Sequence, residues 1–194
     1  MHKSILSVRE ITAHDIPHIA DYWLQTDPEY FCSMGCDLTK FPSRSEWIDM
    51  LNEQLKTEYE HKKSYCIIWL LNDVAIGHCN VNQITYAEKA NMHLHLWNQE
   101  YRKSGFGRIF VKLSLPYFFK NLKLTNLICE PYSLNPAPNK TLAKLGFEFI
   151  KTYRCIPGSL NFEQEVNQWQ LSYEKFQKLF NSGEMKFDNV HKDL

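Results

Sequence analysis

The sequence predicts an α/β (α+β) protein: a mixed, mostly antiparallel central sheet of about seven strands with helices on its faces. Three observations lead there. Strand-length apolar runs alternate with stretches of helical periodicity along the whole chain. Several adjacent strands are joined closely enough to pair antiparallel. The fourth and fifth strands, by contrast, are separated by a helix and must run parallel.

The elements follow in order. Leu6 to Ile11 reads as a first strand. Ile16, Ile19, Ala20, Trp23 and Leu24 then fall on one face of a first helix, capped by Thr12 or Asp15, with Pro17 tolerated in its first turn. Asp27-Pro28 ends that helix and an irregular stretch follows. Ser43-Arg44-Ser45-Glu46 is a capping box that opens a second helix carrying Trp47, Ile48, Leu51 and Leu55. Strands over Ser64–Leu71 and Ala75–Val81 are joined by a tight Asn72-Asp73 turn. Met92–Trp97 is a fourth strand, and residues from Gly105 to about Asn121 form a helix strained or stopped near Pro116. Thr125–Glu130 is a fifth strand, and Asn135-Pro136 caps a short helix ending at Gly146. Phe147–Arg154 and Phe162–Leu171 are two more strands. A last helix with Phe176, Leu179 and Phe180 precedes a polar tail expected to fray.

Length and composition set bounds on function. The 194 residues suit one domain spanning 1–194, with a core over about 6–181. Lys+Arg and Asp+Glu balance at 22 each, which removes the broad electrostatic case for nucleic acid or an anionic membrane. No apolar run reaches transmembrane length, and Arg9 and Glu10 interrupt any signal-peptide core, so the expected compartment is cytoplasmic. The six cysteines then read as reduced thiols, with Cys66, Cys79, Cys129 and Cys155 in strand-like apolar contexts. Monomer and homodimer both stay open.

The chemistry concentrates after the fourth strand. There a short polar turn leads into Arg102-Lys103-Ser104-Gly105-Phe106-Gly107-Arg108 and straight on into a helix. Two glycines let the backbone approach a ligand, and the amides and dipole of a new helix favour an anion. Arg102, Lys103 and Arg108 add positive charge to this phosphate cradle. A Walker A loop is absent. A dinucleotide fingerprint would need an acidic residue about twenty positions on, and Glu130 comes a little late.

The Arg102-x-x-Gly105-x-Gly107 turn between strand and helix resembles the coenzyme A pyrophosphate loop of the GCN5-related N-acetyltransferases (GNAT). Asn135-Pro-Ala-Pro-Asn-Lys140-Thr-Leu142-Ala-Lys-Leu145-Gly146-Phe147 is similar to that superfamily's following helix, in the version of ribosomal-protein acetyltransferases of the RimJ/RimL type. The order of elements agrees over residues 6–172. The resemblance implies a GNAT fold with strands four and five splayed apart. It also implies acetyl-CoA as co-substrate, with no metal, and transfer of its acetyl group to a primary amine on a small molecule or a protein N-terminus. A noncatalytic acyl-CoA-binding module of the same fold is the alternative. By the same resemblance the backbone around Leu96 and Trp97 supplies the thioester's oxyanion donor. Arg102, Lys103, Ser104, Gly105, Phe106, Gly107 and Arg108 hold the diphosphate, with Asn135 and Lys140 on the cofactor arm.

A base must take the amine's proton. His93 and His95 share one strand face, and an imidazole near its ordinary pKa suits the task at neutral pH. Glu130, at the end of the fifth strand, is the other candidate. Where many GNAT members carry a Tyr as the leaving thiolate's acid, this sequence has Leu142, and Pro138 replaces a common Ser. That leaves Tyr132 and Ser133 as local substitutes. Cys32-Ser-Met-Gly-Cys36, with His14 and His18 upstream, has zinc-like spacing but no second tight ligand pair. Asp21, Asp27, Glu29 and Asp37, among the aromatic residues Tyr22, Tyr30, Phe31 and Phe41, suggest an acceptor pocket for a cationic amine.

Overall fold

The computed structural model describes residues 3–102, 104–182 and 190–193. β1 (Lys3–Glu10) leads through a 3-10 turn into α1 (Ile16–Gln25), a short α2 (Pro28–Ser33) and α3 (Arg44–Lys56). β2 (Ser64–Leu71), β3 (Val74–Thr85) and β4 (Lys89–Leu96) form an antiparallel meander. α4 (Phe106–Asn121) crosses to β5 (Asn126–Cys129), and α5 (Pro136–Lys144), β6 (Glu148–Cys155) and β7 (Gln164–Ser172) follow. α6 (Tyr173–Asn181) and β8 (Val190–Asp193) come last.

All eight strands join one sheet in the order β6-β7-β5-β4-β3-β2-β1-β8. Only β4 and β5 pair in parallel, as the intervening helix requires. The sheet contains the seven expected strands and one more. Residues 190–193 of the expected frayed tail pair antiparallel with β1, whose outer edge would otherwise offer unpaired amides and carbonyls. α2 is a second departure: Pro28 sits in its first turn and the Asp27 carboxylate caps Glu29 N at 2.9 Å, so a stretch read as irregular closes into a helix.

Local signals explain most of the boundaries. Thr12 and Asp15 act together before α1: the buried Asp15 carboxylate accepts from Thr12 N and Thr12 Oγ1 at 2.8 Å each and from Arg9 at 2.6 Å and 2.8 Å. Burial alone would raise this carboxyl's pKa. The bonds from Arg9 and Thr12 outweigh burial and hold it below the usual range. Ser43 and Glu46 form the capping box of α3. Asn72 and Asp73 adopt φ of 50° and 64°, the two left-handed positions of a tight hairpin turn without glycine.

β2 is buried along nearly its whole length, and its alternation divides two cores. Tyr65, Ile67, Trp69 and Leu71 face α4, while Cys66, Ile68 and Leu70 face α1 and α3. Against expectation, α4 runs unbroken through Pro116. A mid-helix proline costs about 3 kcal/mol, whereas each buried Phe contributes roughly 1.5–3 kcal/mol. Phe106, Phe110, Phe118 and Phe119 are all at most 2% exposed. Phe110 stacks on Trp69 at 5.1 Å, and Trp69 Nε1 donates to Ser114 Oγ at 3.0 Å. Packing on the sheet wins.

The turn after α2 is tied to the β6–β7 loop. Asp37 N donates to Leu160 O at 2.8 Å, and the side chains of Asn161 and Gln164 donate to Gly35 O at 2.8 Å and 3.0 Å. Gly35 has φ of +85°, and a Cβ there would lie 1.8 Å from Gln164 Oε1. Gly35→Ala therefore is expected to lose at least about 2 kcal/mol, or about 4–8 °C in Tm, from backbone strain and this clash. In a Gln164→Ala background the penalty should shrink to the strain alone, as a double-mutant cycle by urea unfolding will read.

Candidate active site

The site is made where β4 and β5 part. Their ladder holds for Lys89↔Asn126, Ala90↔Leu127 and Asn91↔Ile128 and then stops. β4 continues on β3 as far as Gly77↔Leu96, while β5 continues on β7 as far as Cys129↔Trp169. At the fork, the Cys129 thiol donates to Met92 O at 3.0 Å. Beyond that point the outer edge of β4 is open to a ligand. Strand alternation decides which groups face the gap. Met92 O and Leu96 O accept from that side, the latter from Arg102 Nη2 at 3.2 Å, whereas Trp97 N donates to Ile76 O on β3 at 3.0 Å. Leu94 and Leu96 consequently present their main-chain groups to the gap. Of the two expected oxyanion donors, Leu96 is placed for the role and the Trp97 amide is already taken.

At the end of β4 the chain makes a 3-10 turn over Gln99–Tyr101 and enters α4 through Gly105, whose φ is +83°. Ser104 Oγ donates to Tyr101 O at 2.5 Å and accepts from Phe106 N at 3.4 Å. A Cβ on Gly107 would meet nothing within 4 Å. The protein's own packing does not demand glycine there, so the open space over the helix start suits a bulky anion such as the coenzyme A diphosphate. Arg108 is exposed beside it. Arg102 is turned elsewhere: its guanidinium lies 3.6 Å over the Tyr30 ring and bonds Leu96 O. It braces the end of β4. Lys103 lies outside the described residues. Asn135 Oδ1 accepts from Ala137 N at 3.3 Å, capping α5, and Lys140 is exposed on that helix.

On the α1/α3 face of the sheet lies a cleft of about 490 Å³. Its floor is polar: His78, Asn80 and Asn82 alternate along β3, and His93 and His95 along β4. Glu130 lies at the β5 end of this floor. Its carboxylate accepts from Tyr153 Oη, from Gln168 Nε2 at 2.7 Å and from Asn91 Nδ2 at 3.3 Å. Tyr132 and Asn135 also line the cleft. Ser133 Oγ is buried with no hydrogen-bond partner, and Leu142 is fully buried in the α4 core. Cys36 is buried and Cys32 exposed, and among the described residues no three His, Cys, Asp or Glu side chains gather as metal ligands.

The acetyltransferase (GNAT) domain family matches residues 6–148. The chain belongs to the GNAT acetyltransferases. No curated protein matches it. Among solved structures it is similar to spermidine N-acetyltransferase from Vibrio cholerae in complex with CoA and spermine. That match has 17% identity over 89% of this chain and 98% of that one, with a TM-score of 0.72. It is similar as well to RimL, the ribosomal L7/L12 alpha-N-protein acetyltransferase, in complex with coenzyme A, at 12% identity over 88% and 96% of the two chains and a TM-score of 0.71. An aminoglycoside acetyltransferase with coenzyme A gives 16% identity over 89% and 98% and a TM-score of 0.69. At such identities the likeness establishes the fold. The family match makes this GNAT protein an acetyltransferase.

In this GNAT member the two histidines that the sequence offered as bases are both held by side-chain partners. His93 Nε2 lies 3.0 Å from Asn82 Oδ1, and His95 Nδ1 lies 3.2 Å from Tyr22 Oη. His95 stacks on His78 at 4.7 Å, and Trp97 Nε1 donates to His78 Nδ1 at 2.8 Å. Burial lowers all three: His93 to about 4, His78 to about 3, and His95 well below its ordinary value. Such rings are uncharged at pH 7 but weak proton acceptors. Sequence reading missed His78, Asn80, Asn82, Tyr153 and Gln168. For the first three there was a signal: polar residues at every second position of an otherwise apolar strand mark a polar stripe.

Below about pH 6.5 the unfolded chain protonates these histidines while the fold keeps them neutral, so unfolding takes up protons. Stability is full above 6.5 and is expected to fall as the pH drops from there towards 4. Urea midpoints at pH 7.5 and 5 will show the loss, and His78→Asn should flatten it.

Proposed function

We propose that acetyl transfer occurs at the fork of β4 and β5, with the acceptor amine in the histidine-floored cleft and Glu130 as its base. The observation that carries this reading is the placing of Glu130 beside an open β4 edge, with three donors fixing its carboxylate. The backbone of Ser104, Gly105, Phe106 and Gly107, with Arg102, Lys103 and Arg108, is assigned to the diphosphate end; Arg102 contributes its positive charge and its brace on Leu96. Asn135 and Lys140 flank the cofactor arm on α5.

In the reaction, the Leu96 amide donates to the thioester oxygen as charge builds there. The amine nitrogen attacks the carbonyl carbon, its proton passes to Glu130 directly or through a water, and the C–S bond breaks. Tyr132, on the same cleft wall, returns a proton to the thiolate. His93 and His95 serve as a fixed, uncharged floor that orients the acceptor. Acceptors named for the structural relatives are spermidine, an aminoglycoside and a ribosomal protein N-terminus, all amines, which supports an amine here. We take the whole chain as one acetyltransferase unit working in the cytoplasm, as its balanced charge and six free thiols suggest. Among the described residues no helix is long and apolar enough to cross a membrane.

Glu130→Gln keeps the shape of the side chain and removes its charge. With acetyl-CoA and an accepted amine, kcat is expected to fall by about 10²–10⁴, with the KM for acetyl-CoA within about threefold of wild type. An unchanged kcat across pH 6–9 removes Glu130 from the role. Gly107→Ala separates binding from folding: melting should be unchanged or slightly higher, since alanine is the better helix residue, while the Kd for coenzyme A rises about tenfold or more. Calorimetry and a thermal melt on the same sample read both.

A further inference from the structure

We propose that the acceptor is a small primary monoamine with an uncharged, apolar body, and that polycationic amines are discriminated against. This rests on the reading of the cleft as the acceptor site and deepens it. The acidic residues that promised a cationic pocket lie away from the cleft, three of them in caps or ion pairs. Asp21 pairs with Arg44 and accepts from Gln25 at 2.9 Å. Asp27 caps α2, Asp37 accepts from Thr39 N at 3.1 Å and pairs with Lys40 at 3.5 Å, and Glu29 is exposed. None of the four lines the cleft.

Of the Asp, Glu, Lys and Arg side chains that do line it, Glu53 and Lys63 are exposed at the rim with opposite charge. That leaves Glu130 alone, one negative charge for one ammonium. Ring faces offer no substitute. Trp23, on the cleft wall, is covered on both faces, by Phe31 at 5.1 Å and Trp47 at 5.4 Å, each nearly parallel to it. It shows the cleft its electropositive edge. The Tyr30 face is occupied by Arg102. A second ammonium held deep in the cleft would lose its water with no carboxylate there besides Glu130, and the Trp23 face would not replace it.

The remaining wall is apolar, with Met34, Met50, Leu51, Pro157 and Leu160. Its far side is made by residues 157–164, beyond the stretch that matches the family. The bonds from that loop to Gly35 and Asp37, with Lys40 Nζ on Asn161 O at 2.7 Å, fix it as a roof. A roofed space of about 490 Å³ fits a small molecule better than an extended peptide.

The test compares 2-phenylethylamine, spermidine, kanamycin and an apolar tetrapeptide with the full chain. Calorimetry on the coenzyme A-loaded protein reads binding, and thiol release with acetyl-CoA reads turnover. The expected result is that 2-phenylethylamine binds at least tenfold more tightly than the other three, with turnover in the same order. Tighter binding of spermidine, kanamycin or the peptide overturns the proposal, as does no binding of any. Selective binding of 2-phenylethylamine without thiol release upholds the pocket's selectivity and sinks the transfer reading instead. Met50→Glu adds a carboxylate at a position already 38% exposed. It should tighten spermidine binding at least fivefold, and no gain refutes the charge argument.

Discussion

A parallel strand pair has main-chain groups to satisfy along its full length, and here that ladder ends after Asn91 and Ile128, beyond which β4 stays paired with β3 and β5 with β7. The consequence is a row of β4 amides and carbonyls facing a gap instead of a neighbour. In a folded interior such a row is costly unless water or a ligand meets it. The pantetheine arm of coenzyme A, itself an amide-bearing chain, is the kind of ligand that can replace the missing strand. The Cys129 thiol on Met92 O closes the ladder where protein pairing ends. The Arg102 brace on Leu96 O holds the far end of the same edge, so the gap is bounded at both ends by side chains.

The two sheet faces take different tasks. On one, α4 docks through Trp69, Phe110 and their neighbours, and this packing aims the helix start at the mouth of the gap. On the other, α1, α2 and α3 build an aromatic wall around Trp23, and β3 and β4 supply a floor of histidine and asparagine. In the proposed reaction the thioester lies at the edge between the faces, and the acceptor on the second face. Setting three neutral imidazoles into that floor, His78 buried and His93 and His95 half-buried, weakens the fold at acid pH, yet it keeps the floor free of charge at neutral pH.

The Gly105-Phe106-Gly107 turn, the capping boxes, the hairpin at Asn72-Asp73 and the order of strands and helices were all legible in the sequence, because each is decided by residues a few positions apart. The strand alternation that put His93 and His95 on one face was legible for the same reason. Two expectations failed where local and tertiary terms compete. Pro116 does not break α4, since burial of its aromatic face exceeds the cost of one missing hydrogen bond. The acidic residues Asp21, Asp27, Glu29 and Asp37 do not line the cleft: caps and ion pairs hold the three aspartates, and Glu29 is exposed.

By itself the sequence determined a mixed sheet, a glycine-flanked helix start, and a carboxylate at the end of the fifth strand. Only the tertiary structure decided which backbone groups are left open, which ring faces are covered, and how far burial moves the histidines from their ordinary pKa values. The reason is physical. Turns, caps and amphipathic faces depend on short-range geometry that the order of residues specifies. Desolvation, stacking and the charge of a cleft depend on residues far apart in the chain, such as Trp23 with Trp47 or Gly35 with Gln164, whose meeting no local pattern encodes.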